Sequence, residues 1–244
     1  MRAPTFRILV VLFLCLFPTV GFAQDLTIPL GDEGSLAGRS IQLIVLITVL
    51  SIVPGLAMMI TCFPFIVTVL SILRQAIGLQ QSPPNMLIVS LALFLTYFVM
   101  EPVFMDAWTG GLSPLLNEQI DLRPALERML EPFQSFMSAR TEPETLIRFQ
   151  DLRAESTGAR PEDDNLSVLV PSFLLSEISR AFEIGFLIYL PFLIIDLVVA
   201  AVLMSMGMMM VPPAVVSMPF KLAFFVVVDG WALISEALVR GYGV

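Results

Sequence analysis

Within the long apolar runs of this sequence, the side chains able to do chemistry are few. Asp196, Lys221 and Asp229 stand inside such runs, Glu183 and Arg74 border them, and methionines crowd a turn between two of them. An ionised group inside a membrane costs at least about 2.5–3.5 kcal/mol, so each charge has to meet a partner, the interior of an assembly or water. Pairing Lys221 with Asp196 across a helical hairpin satisfies two of them. A proton or ion relay through Asp196 and Asp229 is the rival reading. Two acids can also form an aspartyl protease dyad, but neither Ile-Ile-Asp196 nor Val-Asp229-Gly230 resembles the motifs of intramembrane aspartyl proteases. The chain has no histidine, which removes the usual near-neutral proton carrier and the imidazole ligands of zinc.

The turn Met204-Ser-Met206-Gly207-Met208-Met209-Met210 holds five methionines in seven residues. Methionine is unbranched and polarizable, so a ring of such side chains can close on itself when empty and repack around varied polypeptides. Filling gaps in a membrane bundle is the simpler use of the same residues. Gly207, Pro212 and Pro213 allow the turn to leave helical geometry.

These residues need helices to hold them, and composition says of what kind. Hydrophobic residues make up 57% of the chain and charged residues 14%, with a mean hydropathy of +0.89, against roughly 45–50% and about 25% in soluble domains. The expected class is an all-α membrane protein with two long kinked helical hairpins flanking a small helical domain. A net charge of −8 has the wrong sign for neutralising phosphates, so nucleic acid is not an expected partner.

Arg2 and Arg7, the apolar run Ile8 to Phe17, Pro18, and small residues Gly21 and Ala23 read as a signal peptide over 1–23, cleaved after Ala23. Cleavage removes Cys15 and leaves Cys62 without an intramolecular disulfide partner. Residues 24–40 then form an amino-terminal segment, 41–105 a first helical hairpin, 106–180 an acidic domain, and 181–244 a second hairpin with the methionine turn. Spans are expected at Ile41–Leu73, Gln75–Met100, Ile184–Met204 and Ala214–Val239. These four crossings place Arg74 and the methionine turn on one side and both mature termini on the other. As a single helix, Ile41–Leu73 would reach about 50 Å across a core of about 30 Å. Breaks or kinks are therefore expected at Pro54-Gly55 and Pro64, and also at Pro191, Pro212-Pro213 and Pro219.

Asp106 to Arg180 contains 13 acidic and 7 basic residues, −6 of the net −8, and must face water. Leu122, Leu126, Met129, Leu130, Phe133 and Phe136 give one helical face, with Pro132 expected to bend or end the helix. Thr141 and Glu144 read as a capping box for a second helix that buries Leu146, Ile147 and Leu152. Residues 154–165 read as a mobile loop.

Several blocks together resemble the FliP family of flagellar export gates, whose relatives serve virulence type III secretion. They are Leu70-Ser-Ile-Leu-Arg74, Gly78-Leu-Gln-Gln-Ser-Pro-Pro-Asn85, Leu91-Ala-Leu-Phe-Leu-Thr96, Phe186 through Asp196 to Val198, Val202 through Pro213, Pro219-Phe-Lys-Leu222 and Val228-Asp-Gly-Trp231. The resemblance implies a gate subunit in the bacterial inner membrane, at the flagellar basal body, through which unfolded flagellar proteins leave the cytoplasm. It implies a closed homo-oligomeric ring of about five copies, completed by FliQ and FliR proteins and joined by other membrane proteins of the export apparatus. In that likeness Met206, Met208, Met209 and Met210 form a gasket and the acidic domain is periplasmic. No catalysis, cofactor or metal is implied. Assembled gates of the family form a tapered, largely extramembrane helical structure. One stretch departs: the family commonly has Phe-Thr-Arg where this chain has Phe63-Pro64-Phe65.

The chain carries no phosphate-binding glycine loop of the P-loop type, so energy for transport is expected from partners. The alternative function is a self-contained ion-coupled transporter using Asp196 and Asp229.

Overall fold

The computed structural model describes residues 36–79, 83–163, 165–208 and 210–243, with side chains from Ser40 onward. The expected signal peptide and residues 24–35 of the segment 24–40 lie outside the described residues, as does Met209. Helices account for almost all of them: α1 (Leu36–Met59), α2 (Phe63–Ile77), α3 (Asn85–Ala107), a π-helical turn (Trp108–Leu112) running into α4 (Ser113–Leu116), α5 (Leu122–Arg140), α6 (Pro143–Thr157), α7 (Leu166–Ser205), α8 (Pro213–Val227) and α9 (Gly230–Arg240). Among the described residues there is no strand. The chain divides into two compact units between Thr48 and Val49, part-way along α1, and the packing described below is that of the second.

Helix α2 is the centre of that unit. Cys62, Phe65, Ile66, Val69, Leu70, Leu73, Ala76 and Ile77 recur at threes and fours and are all buried, a continuous apolar stripe of helical period. The stripe lies along α7, with α3 and α8 also against the helix. Its 15 residues reach only about 22 Å, too short to cross a core of about 30 Å. Three other helices are long and apolar enough to cross: Ser40–Met59, Asn85–Leu116 and Leu166–Ser205. The bent pair α8–α9 is a fourth if taken as one span.

Several expectations change. The first apolar run breaks at Ile60–Cys62, beside Pro64, whereas α1 continues through Pro54 and Gly55. Pro64 falls in the first turn of α2, where its missing N–H leaves nothing unpaired. Ala214–Val239 is two helices rather than one, bent by 61° at Val228-Asp229. Pro132 neither ends nor interrupts α5, because tertiary packing of Ala125, Phe133 and Met137 carries the helix through it. Leu122, Leu126 and Leu130 stay exposed.

Thr141 is no N-cap. Its hydroxyl donates back to Met137 O at the end of α5 (2.8 Å), while the N-cap of α6 is the next residue, Glu142, whose N–H donates to Ser176 Oγ (3.0 Å). Helix α6 also runs further than expected, to Thr157, and buries Gln150 rather than Ile147 and Leu152. Gln150 Nε2 donates to Asp163 Oδ1 (2.6 Å) and its oxygen accepts from Arg160 Nη2 (3.0 Å), tying the segment after the helix back onto it. Helix α7 begins at Leu166, capped by Asn165 Oδ1 on Ser167 N (3.0 Å), and stays continuous through Pro171 and Pro191.

Gly111 sits where the π-helical turn meets α5. A Cβ there would lie 2.2 Å from Met129 Cγ and 2.8 Å from the Ala125 carbonyl oxygen. Gly111→Ala is therefore expected to cost about 1–3 kcal/mol by overpacking, read as a lower apparent Tm of the detergent-solubilised protein. An unchanged Tm would show that this contact does not hold the two elements together.

Candidate functional site

The methionine turn is built as a helix stop. Gly207 has φ 76, the left-handed conformation that glycine adopts without strain. Around it Met208 N donates to Leu203 O (3.0 Å) and Gly207 N to Met204 O (3.0 Å), the paired bonds of a Schellman motif. The chain then turns, with Val211 N on Met208 O (3.4 Å). It enters α8 with Pro212 at the N-cap and Pro213 in the first turn. Met206, Met208 and Met210 are left 67%, 41% and 97% exposed. The turn thus presents thioether side chains without burying them in its own bundle.

Behind the turn, on the two helices it joins, lies the ion pair. Lys221 Nζ of α8 donates to Asp196 Oδ2 of α7 at 2.6 Å and to the Ala76 carbonyl near the end of α2 at 3.1 Å. Asp196 Oδ1 accepts from the fully buried Ser217 Oγ at 2.5 Å. The ammonium side chain is 7% exposed and the carboxylate side chain 29%. One lysine therefore joins α2, α7 and α8, and the acid has both oxygens engaged.

The other charges lie apart from this pair. Asp229 holds the N-cap position of α9 with φ 49 and no side-chain capping bond, an uncommon conformation for a residue other than glycine, and the residue is exposed at the 61° bend. Gly230 follows because Phe225 presses on it; a Cβ there would meet the ring at 2.1 Å. Arg74 closes the α2–α3 connection, donating to the Asn85 side-chain oxygen and to Pro83 O (3.5 Å). Glu183 is exposed on α7. Pro54 and Gly55 lie within α1 and Pro64 in the first turn of α2. Among the described residues no three His, Cys, Asp or Glu side chains group to hold a metal.

A second charged cluster was not anticipated from the sequence. Glu177 of α7 is fully buried and accepts from Arg140 Nε (3.4 Å) and from the Tyr242 hydroxyl, with Arg180 Nη1 3.5 Å away. The Arg140 guanidinium lies 4.1 Å from the centre of the Tyr242 ring and donates to Gly241 O (3.0 Å). Phe65 and Phe136 pack on the same ring. This clamp fastens the chain after α9 to α5, α7 and α2. A carboxylate at Glu177, within the apolar and small residues of Leu166–Ser179, was its one visible signal.

Removing Lys221 alone strands a carboxylate in apolar surroundings, whereas removing both partners does not. Lys221→Ala is expected to destabilise the protein by about 3–5 kcal/mol, and Lys221→Ala with Asp196→Ala by less. Equal losses of extractable, folded protein in the two variants would count against the pairing. The clamp makes a separate prediction about pH. Burial, then the adjacent Glu177 carboxylate, raises the Tyr242 phenol above its ordinary value of 10.0. Above about pH 10 the unfolded phenol ionises while the folded one does not, so the unfolded state binds fewer protons and stability falls. Tyr242→Phe is expected to flatten that alkaline fall in apparent Tm; an unchanged slope would show that the phenol is not held neutral in the fold.

Comparison with known proteins places this architecture. The family model described as FliP family matches residues 46–238. A protein of Agrobacterium fabrum named Flagellar biosynthetic protein FliP is 50% identical over 213 residues, 86% of each chain. Proteins of the same name from Caulobacter vibrioides and Bacillus subtilis are 46% and 44% identical, over 99% and 83% of this chain and 91% and 92% of theirs. With a family match over most of its length and such identity along it, this all-α membrane protein belongs to the FliP family.

Proposed function

We propose that the chain is the pore-forming core subunit of the flagellar type III secretion export gate, passing unfolded flagellar proteins across the inner membrane. The observation that carries this reading is the methionine turn. Met206, Met208 and Met210 are exposed on a glycine-centred helix stop between α7 and α8, and the two helices are joined behind it by Lys221 and Asp196. A single copy gives these side chains nothing to close on. About five copies in a cyclic ring bring the turns together at one axis, where flexible thioethers fill a constriction yet repack around a passing chain.

FliQ and FliR proteins complete the ring in this reading, and other membrane proteins of the export apparatus supply the energy. The protein acts as a conduit and not as an enzyme. The acidic region carrying α5 and α6 lies on the periplasmic side, delivered there by the signal peptide. Asp196, with both oxygens engaged by Lys221 and Ser217, holds the turn's helices in place rather than carrying ions.

Replacing Met208, Met209 and Met210 together by alanine opens the constriction. Assembled complexes in planar bilayers are expected to conduct ions at least about tenfold more than wild type. Conductance equal to that of wild type would remove the gasket assignment.

A further inference from the structure

Exposed thioethers stand close together along the turn between α7 and α8. Met206, Met208 and Met210 follow one another at intervals of two residues, so the Cα atoms of successive members are about 7 Å apart or less. The chain folds back across them, with Met206 N donating to Val202 O (3.1 Å), Gly207 N to Met204 O (3.0 Å) and Val211 N to Met208 O (3.4 Å). All three side chains are exposed, and each ends in a polarizable sulfur on a flexible, unbranched stem. A small guest held by Met208 is therefore within reach of Met206 on one side and Met210 on the other. Met204, also exposed, precedes them on the last turn of α7.

Charge and donor type decide what that guest is. Residues 197–220 include no Asp, Glu, Lys or Arg, and the chain has no histidine. The two charges that border this stretch, Asp196 and Lys221, are paired with each other. Neutral thioethers without a carboxylate, thiolate or imidazole suit soft Cu(I) and Ag(I), whereas zinc, magnesium and calcium draw on harder or anionic donors. The described cysteine, Cys62, is buried and does not compete. Met86 and Met105 are exposed on α3, but about five helical turns apart, so neither offers an ion a second sulfur from the other.

We propose that Met206, Met208 and Met210 form a binding site for a soft monovalent metal ion, Cu(I) or its analogue Ag(I), held through thioether sulfur. The site belongs to one chain and so does not rest on the gate reading; in that gate the ion lies at the constriction.

The test uses the full chain in detergent and chloride-free buffer, with Cys15→Ala and Cys62→Ala so that no thiol takes the metal. Calorimetric titration with Ag(I) is expected to show about one tightly held ion per chain, and X-ray absorption at the silver edge a first shell of sulfur. Met206→Leu, Met208→Leu and Met210→Leu together keep side-chain volume, and are expected to weaken that binding at least about tenfold with native mass and apparent Tm unchanged. Met86→Leu with Met105→Leu leaves it as it was. Cu(I) supplied from its bicinchoninate complex follows Ag(I), and zinc does not bind. No bound silver, a first shell of oxygen or nitrogen, zinc held as tightly as silver, or equal affinity in the triple variant overturns the proposal. Should the triple variant not stay folded, Met210→Leu alone has to weaken Ag(I) binding, and unchanged affinity there overturns the proposal as well. A monomer that binds silver fails the gate reading and keeps the site, whereas a ring that does not bind silver fails only the site.

Discussion

An ammonium group among apolar helices has to be neutralised where it stands, and the arrangement of the second hairpin follows from how Lys221 is neutralised. The group reaches an acid on α7 and a main-chain carbonyl on α2 while itself belonging to α8. Three helices are thereby fixed at one point. The apolar stripe of α2 supplies most of the burial, but apolar packing alone tolerates rotation and sliding of smooth helices. A charged pair with both acid oxygens occupied does not, because any displacement leaves a desolvated charge unmet.

The remaining polar groups follow the same logic at different depths. Glu177 is buried completely and draws Arg140 and Tyr242 onto it, so the chain's last described residues are held against α5 and α7. The methionine turn has the opposite character. The N–H groups of Met206, Gly207 and Met208 are bonded within a glycine-centred helix stop, while the side chains of Met206, Met208 and Met210 stay exposed in the single chain. In the gate proposed above, a glycine-centred main-chain turn sets the position of the constriction while its adaptable thioether side chains yield.

Much of this was legible in the residues. The scarcity of charge gave the membrane class, the i, i+3, i+4 recurrence gave α5, and a lysine and an aspartate stranded in facing apolar runs pointed at each other. What was not legible depended on long-range packing. Asp229 stands out in its apolar run as a charge but carries no signal of a helix break, and the 61° bend there goes with the Phe225 ring pressed on Gly230 and the left-handed Asp229. Thr141 with Glu144 has the spacing of a capping box, yet α5 had first use of the threonine hydroxyl. Pro132 read as a breaker and was overridden by burial on either side of it. The Glu177 clamp joins three distant parts of the chain, and no local pattern could announce Arg140 and Tyr242 as its partners.

The central claim is that exposed methionines at the end of a rigid hairpin become a seal only when several copies surround one axis. The native mass of the detergent-extracted protein, produced alone and then with the proposed FliQ and FliR partners, tests it most directly. A single closed assembly of about five copies that gains mass by recruiting both partners is the result predicted. A stable monomer or dimer that recruits neither would leave the methionine turn with nothing to close against and would contradict the account.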